Sequence, residues 1–213
     1  MEEGSRVSDQ MRSPSGRKLT LRARALRQDQ TRERITQAAV ELHQLHGPLQ
    51  TTITAIAERA GVERLTVYRH FPDEKSLHQA CQHHFFTTYP LPDLALWRGI
   101  SPFSKRLKVG IAELYEYWSQ TEAMFSSVLR DHEVDPERSG AGAVSFISRA
   151  SQALLDGEDM SGARGNELHA SVAHAVHFYT WRSLVRDQGL SNERAIALMT
   201  EFITCIYRKN KQR

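Results

Sequence analysis

The feature that most constrains the fold is the stretch of residues 52 to 77, which reads TITAIAERAGVERLTVYRHFPDEKSL. Its first part carries an apolar stripe at helical spacing, formed by Ile56, Ala57 and Ala60. Gly61 then ends this helix, because glycine takes a positive φ without steric cost. Val67 and Phe71 are four residues apart, so they lie on one face of a second helix. The pattern predicts a helix-turn-helix, whose second helix can lie in the major groove of DNA.

The same stretch resembles the TetR family of bacterial transcriptional regulators. The matching residues, in unbroken order and spacing, are Thr52, Ile56, Ala57, Ala60, Gly61, Val62, Thr66, Tyr68, His70, Phe71 and Leu77. A bare helix-turn-helix pattern has many false positives, whereas this longer run closed by Tyr-x-His-Phe is more specific. The resemblance covers roughly residues 28 to 89. It implies an N-terminal three-helix DNA-binding domain followed by a helical ligand-binding and dimerisation domain.

Apolar residues recur at helical spacing along the rest of the chain, and no segment alternates with period 2. We therefore expect an all-α fold of about nine helices without strands. Pro90 and Pro92 end the fourth helix and mark a domain boundary. The predicted parts are a disordered basic N-terminal arm (1–27), a helix-turn-helix domain (28–89) and a ligand-binding and dimerisation domain (90–213).

Finer helix boundaries follow from local signals. The first helix is expected over residues 28 to 46, where Gly47 and Pro48 stop it. The sequence Ser119-Gln-Thr-Glu122 is a capping-box pattern and predicts that a helix begins there. A long helix is expected over roughly residues 165 to 187, and Ser191 opens the last one. Segments rich in Gly, Pro, Asp and Ser predict loops at 131–142 and 156–166.

Charge is concentrated near the N-terminus rather than spread evenly. The chain has a formal net charge of +3 and a sequence pI of about 9.0, which is only a mild basic bias. Residues 17 to 34, however, contain Arg17, Lys18, Arg22, Arg24, Arg27, Arg32 and Arg34 against Asp29 and Glu33. Such a run is often a solvated tail, but beside a helix-turn-helix it favours contact with phosphates or the minor groove.

Other function classes have weak support in the sequence. The two cysteines, Cys81 and Cys205, are far apart and indicate a reducing cytoplasm rather than a disulfide framework. Neither a signal peptide nor a long apolar run is present, so we expect a cytoplasmic protein without a membrane partner. No GxSxG, P-loop or GxGxxG motif occurs, and His174 and His177 alone are more typical of packing than of metal binding. We expect no enzyme, cofactor or metal site.

Nine residues are predicted to contact DNA. Arg64 or Arg69 on the recognition helix can reach guanine O6 and N7, and Leu65 and the Thr66 methyl can meet thymine methyls. By similarity to the family, phosphate contacts are expected from Thr52, Thr54, Tyr68 and His70, with Lys75 also within reach of the backbone. The chain departs from the usual family pattern at Glu63, at Leu65 and in the order Glu74-Lys75.

The C-terminal half is expected to bind a small molecule and a second subunit. By resemblance, aromatic residues line an effector pocket, and we name Tyr115, Trp118, Phe125, Phe146, Phe178 and Trp181. A palindromic site needs two recognition helices about 34–36 Å apart, and one chain supplies only one. The predicted homodimer interface consists of Phe178, Ile196, Met199, Phe202, Ile203 and Ile206.

The resemblance implies a regulator of this class, namely a repressor that leaves a palindromic operator in double-stranded DNA when an unidentified small-molecule effector binds. One alternative is a regulator without such an effector, either an activator or a protein-controlled one. A missing pocket would favour it. Another alternative is a helical enzyme with a DNA-binding appendage, which a convergent set of perturbed acids and bases would favour.

Overall fold

The computed structural model describes the backbone of residues 14–211 and the side chains of residues 22–209. Within those residues the chain forms ten α-helices, one π-helical turn and no strand, so the all-α prediction is confirmed. The helices are α1 (Pro14–His46), α2 (Ile53–Ala60), α3 (Arg64–His70), α4 (Glu74–Thr88), α5 (Leu94–Arg98), α6 (Phe103–Val134), α7 (Ala141–Leu154), α8 (Gly162–Val176), α9 (Phe178–Arg182) and α10 (Asn192–Lys211). None of these described helices is long and apolar enough to cross a membrane.

Helix α1 begins at Pro14, well before the start predicted near residue 28. The expected disorder over residues 1 to 27 therefore does not hold from Pro14 onward, and residues 1–13 lie outside the described part. Residues 22–30 of α1 are all exposed. Helical periodicity detects only helices with an apolar face. A solvated helix of Arg, Leu, Ala and Gln has good intrinsic propensity but no such signal.

The first four helices contribute buried residues to the hydrophobic core, and these residues position the helix-turn-helix. Ile35 of α1, Ile56 of α2 and Val67 of α3 are almost completely buried together with Phe71. Burying a side chain of this size contributes about 1.5–3 kcal/mol relative to leaving it exposed. This core therefore holds α3 with one face inward and the opposite face outward.

Helix α6 is the central element of the C-terminal half and runs unbroken from Phe103 to Val134. The capping-box prediction at Ser119 is wrong, because no helix begins there. Ser119 is exposed on the helix, and Glu122 pairs with Arg186 across 2.7 Å instead of capping an N-terminus. No Gly or Pro interrupts the chain at this point, so the helix continues.

The long helix predicted over 165 to 187 is divided in the structure. At His177 the backbone is extended, with φ −70° and ψ 137°, and this residue separates α8 from α9. The break is stabilised locally, since the Thr180 hydroxyl donates to the His174 carbonyl at 2.6 Å. Residues Ser183–Asp187 then form the π-helical turn. Side chains that can cap a helix inside an apolar pattern account for this difference.

The C-terminal end of α6 binds the last turn of α1 and the loop that follows it. The Asp131 carboxylate accepts the Leu49 N–H at 2.8 Å, the Ser127 hydroxyl donates to the Gln44 carbonyl at 2.9 Å, and the Arg130 guanidinium donates to the His46 carbonyl at 2.9 Å. Asp131 and Ser127 are buried. These hydrogen bonds couple the two domains through α6.

Candidate DNA-binding surface

The turn between α2 and α3 has the geometry that its residues predict. The Thr52 hydroxyl caps α2 by accepting the Ala55 N–H at 3.1 Å, and Gly61 ends it in the left-handed conformation with φ 65°. The Gly61 and Val62 N–H groups then bond to Glu58 and Ala57 carbonyls. This arrangement satisfies the open carbonyls at the end of α2 and sets the direction of α3.

The outer face of α3 is free for a partner. Val67 is fully buried and Phe71 nearly so, which fixes the inner face against α1 and α2. The predicted contact residues Arg64, Leu65, Tyr68 and Arg69 are exposed, and Thr66 and His70 are partly buried. Leu65 keeps 57% of its surface in solvent. Leu65 thus presents an apolar side chain on the same exposed side of α3 as Arg64 and Arg69.

Arg64 and Tyr68 are paired one helical turn apart. The Arg64 guanidinium donates to the Tyr68 hydroxyl at 3.2 Å and lies 5.6 Å from its ring centre. The pair limits the rotamers of both side chains before any DNA binds. A guanidinium that is held in place loses less conformational entropy when it binds a base or phosphate.

Arg32 is a residue of this surface that the sequence did not single out as a positioning group. Its guanidinium lies 4.1 Å from the centre of the Phe71 ring and donates to the His70 carbonyl at 2.6 Å. It thereby occupies an open carbonyl at the C-terminal end of α3 and holds α1 against it. The two partners are 38 residues apart in sequence, so no local pattern could have indicated the contact.

The ends of α3 and α4 differ in how they are capped. Glu63 occupies the N-cap of α3 without forming a side-chain cap, so its carboxylate remains free near the groove-facing residues. At α4, the Asp73 carboxylate accepts the Ser76 N–H at 2.7 Å, and this backbone hydrogen bond holds the pKa of Asp73 below its usual value. Lys75 is exposed beside it, as are Thr52 at the N-cap of α2 and Thr54 in its first turn. The α4 N-terminus thus already has its own anionic cap.

A cavity of about 480 Å³ lies between the DNA-binding helices and the C-terminal domain. Of the predicted pocket residues, Phe125 and Phe146 line it. Tyr115, Trp118, Phe178 and Trp181 are fully buried in the core instead. Tyr115 and Trp118 donate to the Ala175 and Val176 carbonyls, which locks both rings in place. These four aromatic residues are therefore part of the core and do not line this cavity.

The predicted dimer residues divide between the inside and the outside of the chain. Phe178 and Ile203 are fully buried within their own subunit, because one side of the α10 stripe packs on its own domain. Ile196, Met199 and Ile206 are partly buried. Phe202 is 47% exposed, and Leu198 beside it is 44% exposed. The outward apolar face of α10 thus centres on Phe202 and includes Leu198, which the sequence prediction did not name.

Among the residues that the structure describes, no three His, Cys, Asp or Glu side chains converge as metal ligands would. His174 and His177 lie at the break between α8 and α9. There the His177 ring accepts the Tyr179 N–H at 3.3 Å, and the His174 carbonyl accepts a hydroxyl. Both residues thus take part in the local structure of the break.

Comparisons with known proteins agree with this geometry. Residues 35–81 match the family described as bacterial regulatory proteins, tetR family. No curated protein sequence matches the chain. Among solved structures, a tetR-family transcriptional regulator from Streptomyces coelicolor has a TM-score of 0.56 and 18% identity, covering 84% of this chain and 83% of that one.

Two further solved structures have the same fold. A candidate fatty acid metabolism regulator from Clostridium perfringens has a TM-score of 0.54 and 17% identity, covering 80% of this chain and 96% of that one. A mutant of the protein HlyIIR has a TM-score of 0.53 and 13% identity, covering 81% and 94%. The resemblance expected from the sequence is confirmed: residues 35–81 match the tetR family, and the described helices have a TetR-like fold with an N-terminal helix-turn-helix domain. The family that residues 35–81 match and the Streptomyces coelicolor structure are both described as regulators.

Proposed function

We propose that this chain is a cytoplasmic, homodimeric repressor that binds a palindromic operator and leaves it when a small ligand binds the C-terminal half. The observation that carries the proposal is the outer face of α3, where Arg64, Leu65 and Arg69 are exposed while Val67 is fully buried. On the inner side of the helix, the Arg32 guanidinium of α1 lies over the Phe71 ring. A helix fixed on one side and free on the other suits insertion into the major groove.

The side chains of this face divide into two kinds of contact. Arg64 and Arg69 are suited to bidentate recognition of guanine, and Leu65 and Thr66 to contact with thymine methyl groups. Thr52, Thr54, Tyr68, His70 and Lys75 surround them and are suited to phosphates, which position the protein without reading sequence.

Dimerisation is supported by the geometry of the proposed palindrome, which needs two copies of α3. The exposed apolar face of α10, centred on Phe202 and Leu198, supports a two-fold contact in which each copy covers the other. The partly buried Ile196, Met199 and Ile206 would extend this contact.

Release by a ligand is supported by the position of the cavity. Its wall includes His43 of α1, Phe85 of α4 and Phe125 of α6, so an occupant would touch both domains. A ligand that binds better when α4 is displaced would shift the population of dimers toward a recognition-helix spacing that no longer fits consecutive major grooves.

The experiment that tests the DNA-binding part uses a binding site selected from random duplexes. Arg64→Ala and Arg69→Ala should each weaken specific binding; removing a base contact costs about 1–3 kcal/mol and relaxes preference at one position. Removing a phosphate contact should weaken binding to all sequences alike. Arg98→Ala, an exposed change on α5, serves as the control. Unchanged affinity in both α3 variants would contradict the assignment of α3.

A further inference from the structure

The cavity at the domain junction has a chemistry that narrows the kind of ligand it can hold. It is formed by α1, α4, α6 and α7 together with the loop before α7, and its volume of about 480 Å³ suits a drug-sized molecule. Its role as the effector site rests on the proposed function, whereas its binding chemistry follows from the wall residues alone.

Most of the wall is apolar and aromatic. Phe85 and Phe86 come from α4, Met124 and Phe125 from α6, and Phe146 from α7. Phe86 is 39% exposed although it lies in this wall, so part of its ring has no protein neighbour to cover it. Such a wall favours an occupant with an aromatic or aliphatic body, because binding removes apolar surface of both partners from water.

One end of the cavity is formed by the N-terminus of α7. Gly140 is the N-cap and has no side chain to cap the helix, and Ala141, Gly142 and Ala143 all line the cavity. The N–H groups of these first three helical residues have no acceptor inside the helix. Free N–H groups and the positive end of the helix dipole favour an anion at this end.

Arginine side chains reinforce the positive character of the same wall. Arg138 lies just before the α7 N-terminus, and its ion pair with Glu74 at 3.9 Å is long and exposed at both partners, so it competes only weakly. Arg149 shares the cavity-facing side of α7 with Gly142 and Phe146, at spacings of seven and three residues. Among the described residues of the wall, Glu137 is the only carboxylate.

His43 is a second, independent sign that a polar group belongs in the cavity. It keeps only 9% of its surface exposed, lines the cavity, and its ring forms no hydrogen bond with the described residues. Burial lowers the pKa of His43 to about 4, so its ring is neutral at pH 7. Among the described residues, the enclosed side-chain atoms without a partner belong to Tyr117 and Ser151 and not to His43. The His43 ring nitrogens are therefore open to the cavity, where a ligand donor or acceptor can meet them.

We propose that this cavity binds a small amphipathic acid: one carboxylate held by the α7 N-terminus and Arg138, and an apolar body lying between the phenylalanines of α4 and α7. His43 then meets a polar atom of the ligand on the α1 side. The ligand bridges α7 to α4, the helix that follows the recognition helix, so occupancy changes how the DNA-binding domain sits on α6.

The test compares acids with their uncharged amides by calorimetry on the full chain. The probes are 1-naphthaleneacetate with 1-naphthaleneacetamide, and octanoate with octanamide, which provide a rigid and a flexible body. Each acid should bind at least about tenfold more tightly than its amide, and acetate, which lacks the body, should bind far more weakly. Arg138→Gln should reduce the preference for acids. Glu74→Gln breaks the same ion pair but leaves the arginine charge, so it should keep the preference.

Three outcomes would overturn the inference. They are no binding of either acid at about 1 mM, equal binding of acids and amides, and an unchanged acid preference in Arg138→Gln. Operator affinity is measured in parallel with and without each acid. If the acids bind as expected but operator affinity does not change, the ligand chemistry stands and release of DNA by this site is wrong. If operator affinity is absent throughout, the DNA-binding proposal fails independently.

Discussion

Glycines and a buried histidine show how much single residues decide in this chain. Gly61 and Gly47 both have positive φ, at 65° and 89°. Around Gly61 there is open space, whereas a Cβ at Gly47 would collide with the Asp131 carboxylate. Gly61 therefore needs to be glycine for its backbone conformation alone. Gly47 needs it both for backbone conformation and for the contact with Asp131.

We predict that Gly47→Ala destabilises the protein more than Gly61→Ala. In both variants the left-handed backbone costs about 1–2 kcal/mol once a Cβ is present. At Gly47 the displaced Asp131 also gives up its hydrogen bond from the Leu49 N–H, which adds about 1–3 kcal/mol. Urea denaturation followed by circular dichroism measures the difference. Equal midpoints for the two variants would mean that the Asp131 side chain adjusts without cost.

The second residue-scale prediction concerns pH. Burial first, and then nearby His78, lower the pKa of His43 from 6.5 to about 4, while Asp131 acts in the opposite direction. The unfolded chain therefore binds a proton below pH 6.5 that the folded chain does not. The contribution of His43 to the free energy of unfolding is therefore complete well above pH 6.5 and is lost as the pH falls toward 4. By linkage the loss between pH 6.5 and 5 is about 2 kcal/mol.

His43→Gln provides the comparison for that loss, since glutamine keeps hydrogen-bonding groups but does not titrate. Free energies of unfolding for the wild type and the variant, measured by urea at pH 7 and pH 5, should converge toward the lower pH. Parallel pH dependence in the two proteins would show that His43 is not the group that titrates.

At the scale of elements, α1 and α6 have roles that their local sequences indicate only in part. Helix α1 has 33 residues, about 50 Å at 1.5 Å per residue, and only its C-terminal half packs in the described core. Its N-terminal half presents Arg22, Arg24 and Arg27 to solvent. A helix holds these charges at fixed spacing, which an unstructured arm would not do.

We predict that this basic half of α1 contacts phosphates. Replacing Arg22, Arg24 and Arg27 by Gln keeps helix propensity and removes three charges. The slope of log K against log salt should become shallower by about 0.9 for each phosphate that the variant no longer binds. Arg98→Gln with Arg208→Gln and Lys209→Gln, three exposed positions away from α1, is the control for net charge. A slope that stays unchanged in the α1 variant would show that this half is only solvated.

At the scale of the whole molecule, the two domains are joined by hydrogen bonds from α6, and a second copy is expected at α10. The side chains of Ser127, Arg130 and Asp131 bond to backbone groups 82 to 84 residues away. Every residue type has these backbone groups. The contact therefore depends on where residues 44 to 49 lie and not on which side chains they carry. Movement of α6 would therefore be passed directly to α1.

We predict that Phe202→Glu yields monomers that lose operator binding but keep helical content. In a two-fold contact the change places two carboxylates close to each other in an apolar surface, which is strongly unfavourable. Val134→Glu, at a residue that is 76% exposed at the end of α6, makes the same kind of change elsewhere. Sedimentation should find the control dimeric and Phe202→Glu monomeric. A wild-type monomer at micromolar concentration that binds a palindrome tightly would contradict the dimer.

What the sequence by itself determined is local in origin. The helix-turn-helix follows from Gly61, the Thr52 cap and the four-residue spacing of Val67 and Phe71, all of which act within a few residues. These signals also indicated which side of α3 faces outward. The start of α1 was missed because an exposed helix needs no apolar stripe. The break at His177 was missed because a side-chain cap can interrupt an apolar pattern.

Only the tertiary structure decided the rest, because the groups involved meet through packing of distant segments. Arg32 reaches the end of α3 across 38 residues, and Ser127 reaches Gln44 across 83. Phe178 and Phe202 were both predicted from the sequence to lie in the dimer interface, yet Phe178 is fully buried in its own chain and Phe202 is 47% exposed. Likewise, apolar spacing marks Trp118 and Phe125 equally, but the cavity at the domain junction lies where α1, α4, α6 and α7 leave space between them. Phe125 borders that space, while Trp118 is held in the core by the Val176 carbonyl.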